Sequence, residues 1–162
     1  MTSVTGAYFE TMGIDFVEGR PLLPEDSVTG SVGAVINRTL AEQAWPGESA
    51  LGKRFSFSDP PNWITVVGVV EDVRQWGPES RPVGQAYVPY NWGWTSAAYL
   101  TLRVAGDPAA VAPEVRRAVL AVDPTQPPAD VRTMTARVDG TFAQRRFYTT
   151  LIGLFAVAAL LL

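Results

Sequence analysis

The sequence contains no cysteine and no histidine among its 162 residues. Without Cys, disulfide frameworks, thiolate nucleophiles, Cys-ligated zinc and iron–sulfur clusters are excluded. Without His, Ser-His-Asp triads, His-based acid–base catalysis and the usual zinc and iron ligand sets are excluded as well. Catalysis would have to use carboxylates, Lys53, Tyr, Ser/Thr or Arg. The composition therefore favours a binding or mechanical role over an enzyme, with no cofactor and no metal.

Charge is scarce too. Charged residues make up 18% of the chain, and 13 Lys+Arg stand against 16 Asp+Glu, for a net charge of −3. This leaves no basic excess to neutralise a phosphate backbone, so nucleic acid is not an expected partner. Hydrophobic residues make up 47%, which is enough for a packed core in one domain or two small lobes.

The longest uncharged apolar run lies at the C-terminal end of the sequence. It is too short to cross a bilayer, which needs about 20 residues. The alternative, a core or dimer-forming helix, should keep a polar face, and this run has none. We therefore predict a truncated transmembrane helix that follows a helical lead-in, Thr135–Thr150. Its membrane-anchor residues are Leu151, Ile152, Leu154, Phe155, Val157, Leu160, Leu161 and Leu162.

Hydrophobic periodicity predicts short helices and strands in the rest of the chain. The predicted helices are Thr5–Gly13, a segment capped by Asn37 and running to about Ala44, and a segment that starts at Asp107-Pro108 and ends at Asp123-Pro124. The predicted strands are Ile14–Gly19, Val32–Ile36, Lys53–Phe57, Ile64–Val70, Gln85–Pro89, Tyr99–Val104 and Ala129–Arg132.

This order of elements predicts an α+β fold. A helix and a strand come first, a β-rich insertion follows, and a strand-helix-strand segment completes a split βαβ arrangement whose first strand is missing. The expected divisions are 1–29 for the first part of the split lobe, 30–97 for the β-rich insertion, 98–134 for the second part, and 135–162 for the lead-in and membrane helix.

Two sequence motifs suggest chemistry that their context contradicts. Residues Gly47–Lys53 match most of a phosphate-binding loop, but Arg54 replaces its Ser or Thr, a helix precedes it and a strand follows. Asn37-Arg38-Thr39 matches an N-glycosylation sequon, but Asn37 stands where the next helix needs a cap. We therefore predict no nucleotide site and a structural Asn37.

Two other groups of residues are candidate functional sites. Glu71 and Asp72 could act as the acid and base of a hydrolase or hold a cation, although neighbouring side chains on a strand point to opposite faces. An aromatic set in loops either contacts a partner or plugs the open end of a sheet. This set is Trp76, Tyr90, Trp92 and Trp94.

A series of short segments, in this order and spacing, resembles one known family, the MacB-type periplasmic core domain of FtsX-like ABC-transporter permeases. The likeness covers nearly the whole chain. The segments are Tyr8-Phe9-x-x-Met12-Gly13, Gly19-Arg20, Val35-Ile36-Asn37, Trp45-Pro46-Gly47, Leu51-Gly52-Lys53, Val66–Val70 with Asp72-Val73, Asp107-Pro108 and Arg145-Arg146-Phe147.

The resemblance implies a porter-like lobe with an inserted β-rich lobe, on the periplasmic side of the bacterial inner membrane and followed by a transmembrane helix. It implies no active site, and a role in coupling membrane-helix movement to a periplasmic partner or substrate in export. The implied partners are the membrane, a cytoplasmic ATPase and a periplasmic adaptor, with a homodimeric full-length permease. By the positive-inside rule, Arg145-Arg146 alone would place the preceding domain in the cytoplasm. The resemblance instead implies that the domain is exported to the periplasmic side. The alternative is a membrane-anchored binding module without ATPase coupling.

Overall fold

The computed structural model describes residues 1–27, 32–59, 61–73, 81–92 and 97–138. The chain divides into two units, Met1–Arg103 and Val104–Leu162, and the description of the second ends at Val138.

The first unit is built on a mixed sheet of six strands in the order β1-β6-β3-β5-β2, with β4 also paired to β5. The pairs β1·β6 and β3·β5 are parallel, and β2·β5, β3·β6 and β4·β5 are antiparallel. The strands are β1 (Thr2–Val4), β2 (Phe16–Gly19), β3 (Val32–Asn37), β4 (Arg54–Phe55), β5 (Ile64–Val70) and β6 (Ala86–Pro89).

Two short helices cover opposite faces of this sheet. α1 (Tyr8–Met12) brings Phe9 into a core with Val35, Val70 and Tyr87, whereas α2 (Arg38–Ala44) packs Leu40 and Ala41 on the cluster around Ile36 and Val69. Val35 and Ile36 are neighbours on β3, so their side chains point to opposite faces. All six residues of β3 are buried, which explains why its sequence is apolar without alternation.

Glycines allow the chain at β2 and before β4 to approach β5 closely. A methyl group on Gly19 would lie 2.7 Å from Leu51 Cδ2 and 2.8 Å from Gly68 Cα, and Gly19 also has a φ of 78°. Gly52, with a φ of 74°, and Lys53 together face Val66: Gly52 N donates to Val66 O and Val66 N donates to Lys53 O. This is the glycine-dependent bulge that turns the chain into β4.

The second unit contains α3 (Pro108–Val122), and residues 134–138 are also helical. Asp107 caps α3 by accepting from Ala109 N at 2.9 Å, and Pro108 occupies the first helical position. The helix continues through Pro113. Thr133 Oγ1 accepts from Ala136 N at 3.1 Å at the start of the second helical segment.

The structure confirms most local predictions. β5 spans the predicted residues, Asn37 caps α2, Gly13 ends α1 in the left-handed conformation, and β4 pairs with β5. The fold is mixed α/β.

Two predicted strands are absent from the described structure: Tyr99–Val104 and Ala129–Arg132 are not strands. A strand needs a hydrogen-bonded neighbour, and none of the six described strands pairs with either segment. In the first segment, Tyr99 and Leu100 are 83% and 70% exposed. Of the predicted strand-helix-strand segment, the described residues thus contain only the helix, α3.

The sequence interpretation also missed β1, whose three residues are too few to show periodicity. β1 and β2 lie in the same sheet as the strands of the segment assigned to the insertion. The divisions at residues 30, 98 and 135 stay predictions. No helix among the described residues has the length and apolarity needed to cross a membrane. The predicted membrane anchor, Leu151–Leu162, lies outside the described residues.

Candidate functional site

A buried polar network is centred on Asn37, at the junction of β3 and α2. Its Oδ1 accepts from Leu40 N at 3.1 Å and from Gln85 N at 2.7 Å. Its Nδ2 donates to Asp72 Oδ1 at 2.7 Å and to Val83 O at 2.9 Å. Asn37 is fully buried, and these four bonds use its amide completely. The residue is therefore structural, and its amide is inaccessible to glycosylation.

The candidate carboxylates Glu71 and Asp72 have separate partners. Asp72 accepts from Thr39 N at 3.0 Å and from Thr39 Oγ1 at 2.8 Å, in addition to Asn37 Nδ2. Glu71 forms an ion pair with Arg38. Asp72 therefore stabilises the start of α2 from inside the network and Glu71 does so from the surface. The two groups do not converge on one site, and the hydrolase hypothesis finds no support in their geometry.

Gln85 and Tyr87 extend the network into the core. Tyr87 Oη donates to Gln85 Oε1 at 2.8 Å, and both residues are buried. The Tyr87 ring packs against Phe9 and Tyr8, with ring centroids 5.2 Å and 5.9 Å away. Burial, with smaller contributions from Tyr8 and Asp72, raises the pKa of Tyr87 to about 12. Tyr87 therefore stays protonated at neutral pH and acts as a hydrogen-bond donor, not as a base.

Arg20 and Asp26 form a clamp at the start of the β2–β3 connection. Arg20 Nη1 and Nη2 donate to Asp26 Oδ2 and Oδ1 at 2.7 Å and 2.8 Å, and Leu23 N donates to Oδ2 at 2.7 Å. The hydrogen bonds from Arg20 lower the pKa of Asp26 despite its burial. A methyl group on Gly33 would lie 2.6 Å from Asp26 Oδ1, so the clamp packs directly on β3.

The segment Gly47–Lys53, whose sequence resembles a phosphate-binding loop, is preceded by α2 and followed by β4, as the sequence predicted. Lys53 Nζ donates to Glu48 Oε2 at 2.6 Å. Its ammonium group thus binds a surface carboxylate, and the helix N-terminus that a phosphate loop needs does not follow.

The aromatic set is only partly within the described residues, since Trp76 and Trp94 lie outside them. Trp92 is half-buried and packs against the cluster formed by Val32, Ala34, Ile64 and Val88. Tyr90 is 44% exposed. The two predicted roles were packing at the open end of the sheet and contact with a partner. Trp92 is consistent with the packing role, whereas the exposed Tyr90 is accessible to a partner.

Sequence reasoning missed two exposed aromatic residues near β4. Phe57 is 66% exposed and its ring packs edge-on against Phe55 at 5.3 Å, and Trp63 is 44% exposed with the Arg54 guanidinium 5.1 Å from its ring centroid. Alternation along residues 53–57 places Phe57 on the face of Phe55. What the sequence did not reveal is that β4 ends at Phe55, which leaves Phe57 without a neighbouring strand.

A surface cleft of about 300 Å³ also went unpredicted. It lies between α1 and the start of β2, and Phe9, Glu10, Asp15 and Phe16 contribute its aromatic and acidic groups. The described residues that line it are Gly6, Phe9, Glu10, Ile14, Asp15, Phe16 and Pro21.

The polar motifs therefore act inside the fold. Asn37, Asp72, Arg20 and Gly52 hold strands, helices and turns together, and no three carboxylates of the described residues cluster in a way that would bind a metal ion.

Comparison with known proteins identifies the family. Residues 1–140 match the model of the MacB-like periplasmic core domain, and the chain belongs to this family. The members to which it is similar are periplasmic or extracellular domains of ABC-type permeases, which are not enzymes. The resemblance found in the sequence motifs is thereby confirmed. No curated protein matches the chain.

Three solved structures were found to be similar to the chain, and the first of them shares its fold. The periplasmic region of MacB from Actinobacillus actinomycetemcomitans is 18% identical, with a TM-score of 0.52 over 72% of this chain and 53% of that chain. The extracellular domain of the noncanonic ABC-type transporter YknZ from Gram-positive bacteria is 24% identical (TM-score 0.41; 55% and 42% covered). A domain of a putative permease protein from Porphyromonas gingivalis is 19% identical (TM-score 0.46; 74% and 57% covered). The chain thus spans about half the length of these structures.

Proposed function

We propose that this domain couples the movement of membrane helices in an ABC-type permease to a periplasmic partner or substrate during export. The match of residues 1–140 to the family of permease periplasmic domains is the observation that carries this proposal. The internal polar ties support it. Asn37 joins β3, α2 and the segment before β6, and the clamp of Arg20 and Asp26 holds the β2–β3 connection. A sheet tied in this way moves as one piece and transmits displacement instead of absorbing it.

In this proposal the movement of the membrane helices reaches the domain through its C-terminal helix. Residues 134–138 are helical and begin at a Thr133 cap, and the uncharged run Leu151–Leu162 follows them in the sequence. We propose that this run is the start of a transmembrane helix, which places the domain on the periplasmic side of the bacterial inner membrane. A continuous helix would transmit membrane motion to the domain without a flexible joint.

The proposed partners are a cytoplasmic ATPase and a periplasmic adaptor protein, in a permease that is a homodimer. For adaptor contact we propose the exposed aromatic residues Tyr90, Phe57 and Trp63, because aromatic side chains and Arg are enriched at interaction hot spots. Trp76 and Trp94 stay candidates from the sequence. The alternative, a membrane-anchored binding module without ATPase coupling, is favoured by no described contact.

This chain contains no Cys, so a single cysteine introduced into it can be labelled specifically in an intact permease whose other cysteines have been replaced. Single cysteines at Glu114→Cys and Leu154→Cys are treated in whole cells with a maleimide that does not cross the inner membrane. We expect labelling of Glu114→Cys from the periplasm and protection of Leu154→Cys until the membrane is dissolved. Protection of Glu114→Cys in cells with a permeable outer membrane, but not after lysis, would contradict the periplasmic location.

ATP-driven coupling needs a separate test. The permease is reconstituted with its ATPase, and export is measured with the wild-type chain and with the Asn37→Ala variant, which loosens the sheet. We expect export to fall while the ATPase and permease still bind each other. Partner binding without any ATP-dependent export would support the binding-module alternative instead.

A further inference from the structure

The cleft between α1 and β2 carries an unusual combination of groups. Its acidic residues, Glu10 and Asp15, are exposed, and their carboxylates have no hydrogen bond or ion pair among the described residues. Among the described residues that line it there is no Lys or Arg. Its volume of about 300 Å³ lies at the lower limit of small-molecule sites. We propose that this cleft binds a small organic cation, an ammonium or guanidinium group on an apolar body.

The free carboxylates supply the charge for this site. Elsewhere in the same unit the carboxylates of Asp26, Glu48 and Glu71 are each paired with an Arg or Lys, and Asp72 accepts three hydrogen bonds. Glu10 and Asp15 are different because they combine two negative charges at a concave apolar surface. Low-dielectric walls strengthen such a field, so the cleft attracts cations and repels anions.

The ring of Phe16 supplies the second element of recognition, and the buried ring of Phe9 supports it from inside the core. Phe9 is buried and held by edge-on contacts to Phe16 at 5.2 Å, to Tyr87 at 5.2 Å and to Tyr8 at 5.5 Å. Its position is thus fixed before any ligand arrives. Phe16 is half-buried. Aromatic faces attract ammonium and guanidinium groups, most strongly where water is excluded.

The remaining lining residues select an apolar body over a bare metal ion. Ile14 and Pro21 are hydrophobic, and Gly6 is so close to the Leu22 carbonyl that any side chain there would displace the cleft wall. A hydrated metal ion gains nothing from such walls, whereas an organic cation buries carbon surface against them. The site does not depend on the proposed coupling role, so either proposal can fail without the other.

Phenethylammonium is a suitable probe, with 2-phenylethanol as its uncharged analogue. The full chain is kept in mild detergent, and binding is measured by chemical-shift changes of the Ile14 methyl groups and the Phe16 ring. We expect saturable binding of the cation and at least about tenfold weaker binding of the alcohol. Binding of the cation should also weaken as salt is raised, because its exposed charges are screened.

Variants assign the binding to the cleft. Glu10→Gln and Asp15→Asn should each weaken cation binding about threefold to tenfold and leave alcohol binding unchanged. Glu42→Gln, an exposed carboxylate change on α2 outside the cleft, is the matched control and should have no effect. Circular dichroism and the melting temperature check that each variant is folded. Equal affinity for cation and alcohol, no saturable binding, or the same loss in Glu42→Gln would overturn the proposal.

Discussion

Asp26 is held by both terminal nitrogens of Arg20 at 2.7 Å and 2.8 Å, and its side chain is 7% exposed while that of Arg20 is 43% exposed. A buried carboxylate is thus neutralised by a cation that stays in contact with water. This arrangement fixes the β2–β3 connection against Gly33, where no side chain fits. The Gly19-Arg20 segment of the family resemblance therefore has a structural explanation.

Removing the clamp should destabilise the domain in a pH-dependent way. Asp26→Asn should cost about 1–3 kcal/mol near neutral pH, because a charged hydrogen bond is lost and Arg20 keeps its charge. The pKa of Asp26 is lowered in the folded state. Its contribution is therefore complete above the unfolded-state pKa of about 3.9 and is lost as the pH falls through the lower folded-state pKa.

Urea unfolding of wild type and Asp26→Asn at several pH values measures this difference. The two curves should be well separated at pH 7 and approach each other below about pH 4. Glu25→Gln, an exposed neighbour, is the control and should change stability by less than about 0.5 kcal/mol. A difference that grows toward low pH would contradict the assignment.

Asn37→Ala should be among the most destabilising single changes in the first unit. It removes four hydrogen bonds and leaves Asp72, Val83 O and Gln85 N short of partners in a buried site. We expect a loss of about 2–4 kcal/mol, from an N-cap and from unsatisfied buried groups. Thermal unfolding of Asn37→Ala is compared with Asn91→Ala, which removes one exposed bond to Ser27. Similar melting temperatures for the two variants would refute the central role of Asn37.

The close approach of β2 to β5 at Gly19 can be tested by comparing two glycines of nearly equal φ. Gly19 and Gly47 have φ values of 78° and 76°, but only Gly19 has atoms within reach of an added methyl group. Gly47→Ala should cost about 1–2 kcal/mol from backbone strain alone, and Gly19→Ala should cost clearly more. Chemical denaturation measures both. Equal losses of stability in the two variants would show that Leu51 and Gly68 move away from the added methyl group at no cost.

The aromatic residues at the sheet end should separate into packing and contact positions. Trp92→Ala should lower the melting temperature by several degrees, because it uncovers the cluster around Ile64. Tyr90→Ala and Phe57→Ala should lower the melting temperature less than Trp92→Ala, since both residues are exposed. Pull-down with the purified adaptor tests contact. Retention of full adaptor binding by the double variant would remove these residues from the proposed interface.

The purified 162-residue chain should associate when detergent is omitted. Leu100 and Leu102 are exposed apolar side chains in a segment with strong strand propensity. Light scattering should show dimers or larger species, and Leu100→Lys should reduce them. A stable wild-type monomer without detergent would count against both an open strand segment and a membrane anchor.

Much of the local structure could be predicted because its causes are local. The β-branched run Ile64–Val70 defines β5, Asp107-Pro108 starts α3, and Gly13 ends α1, each through contacts within a few residues. The family, too, was recognisable from the order of short motifs. The cleft could not be predicted, because Gly6, Glu10 and Pro21 meet only after α1 packs beside β2.

Only the tertiary structure determines which residues and strands these local elements contact. Asn37 was predicted as a cap, but its bonds to Asp72 and Gln85 span 35 and 48 residues, and no local pattern encodes such pairing. Tyr99–Val104 has the composition of a strand and is not one among the described residues, because a strand exists only through its neighbour. Local propensity is a property of the sequence, whereas pairing and burial depend on long-range contacts.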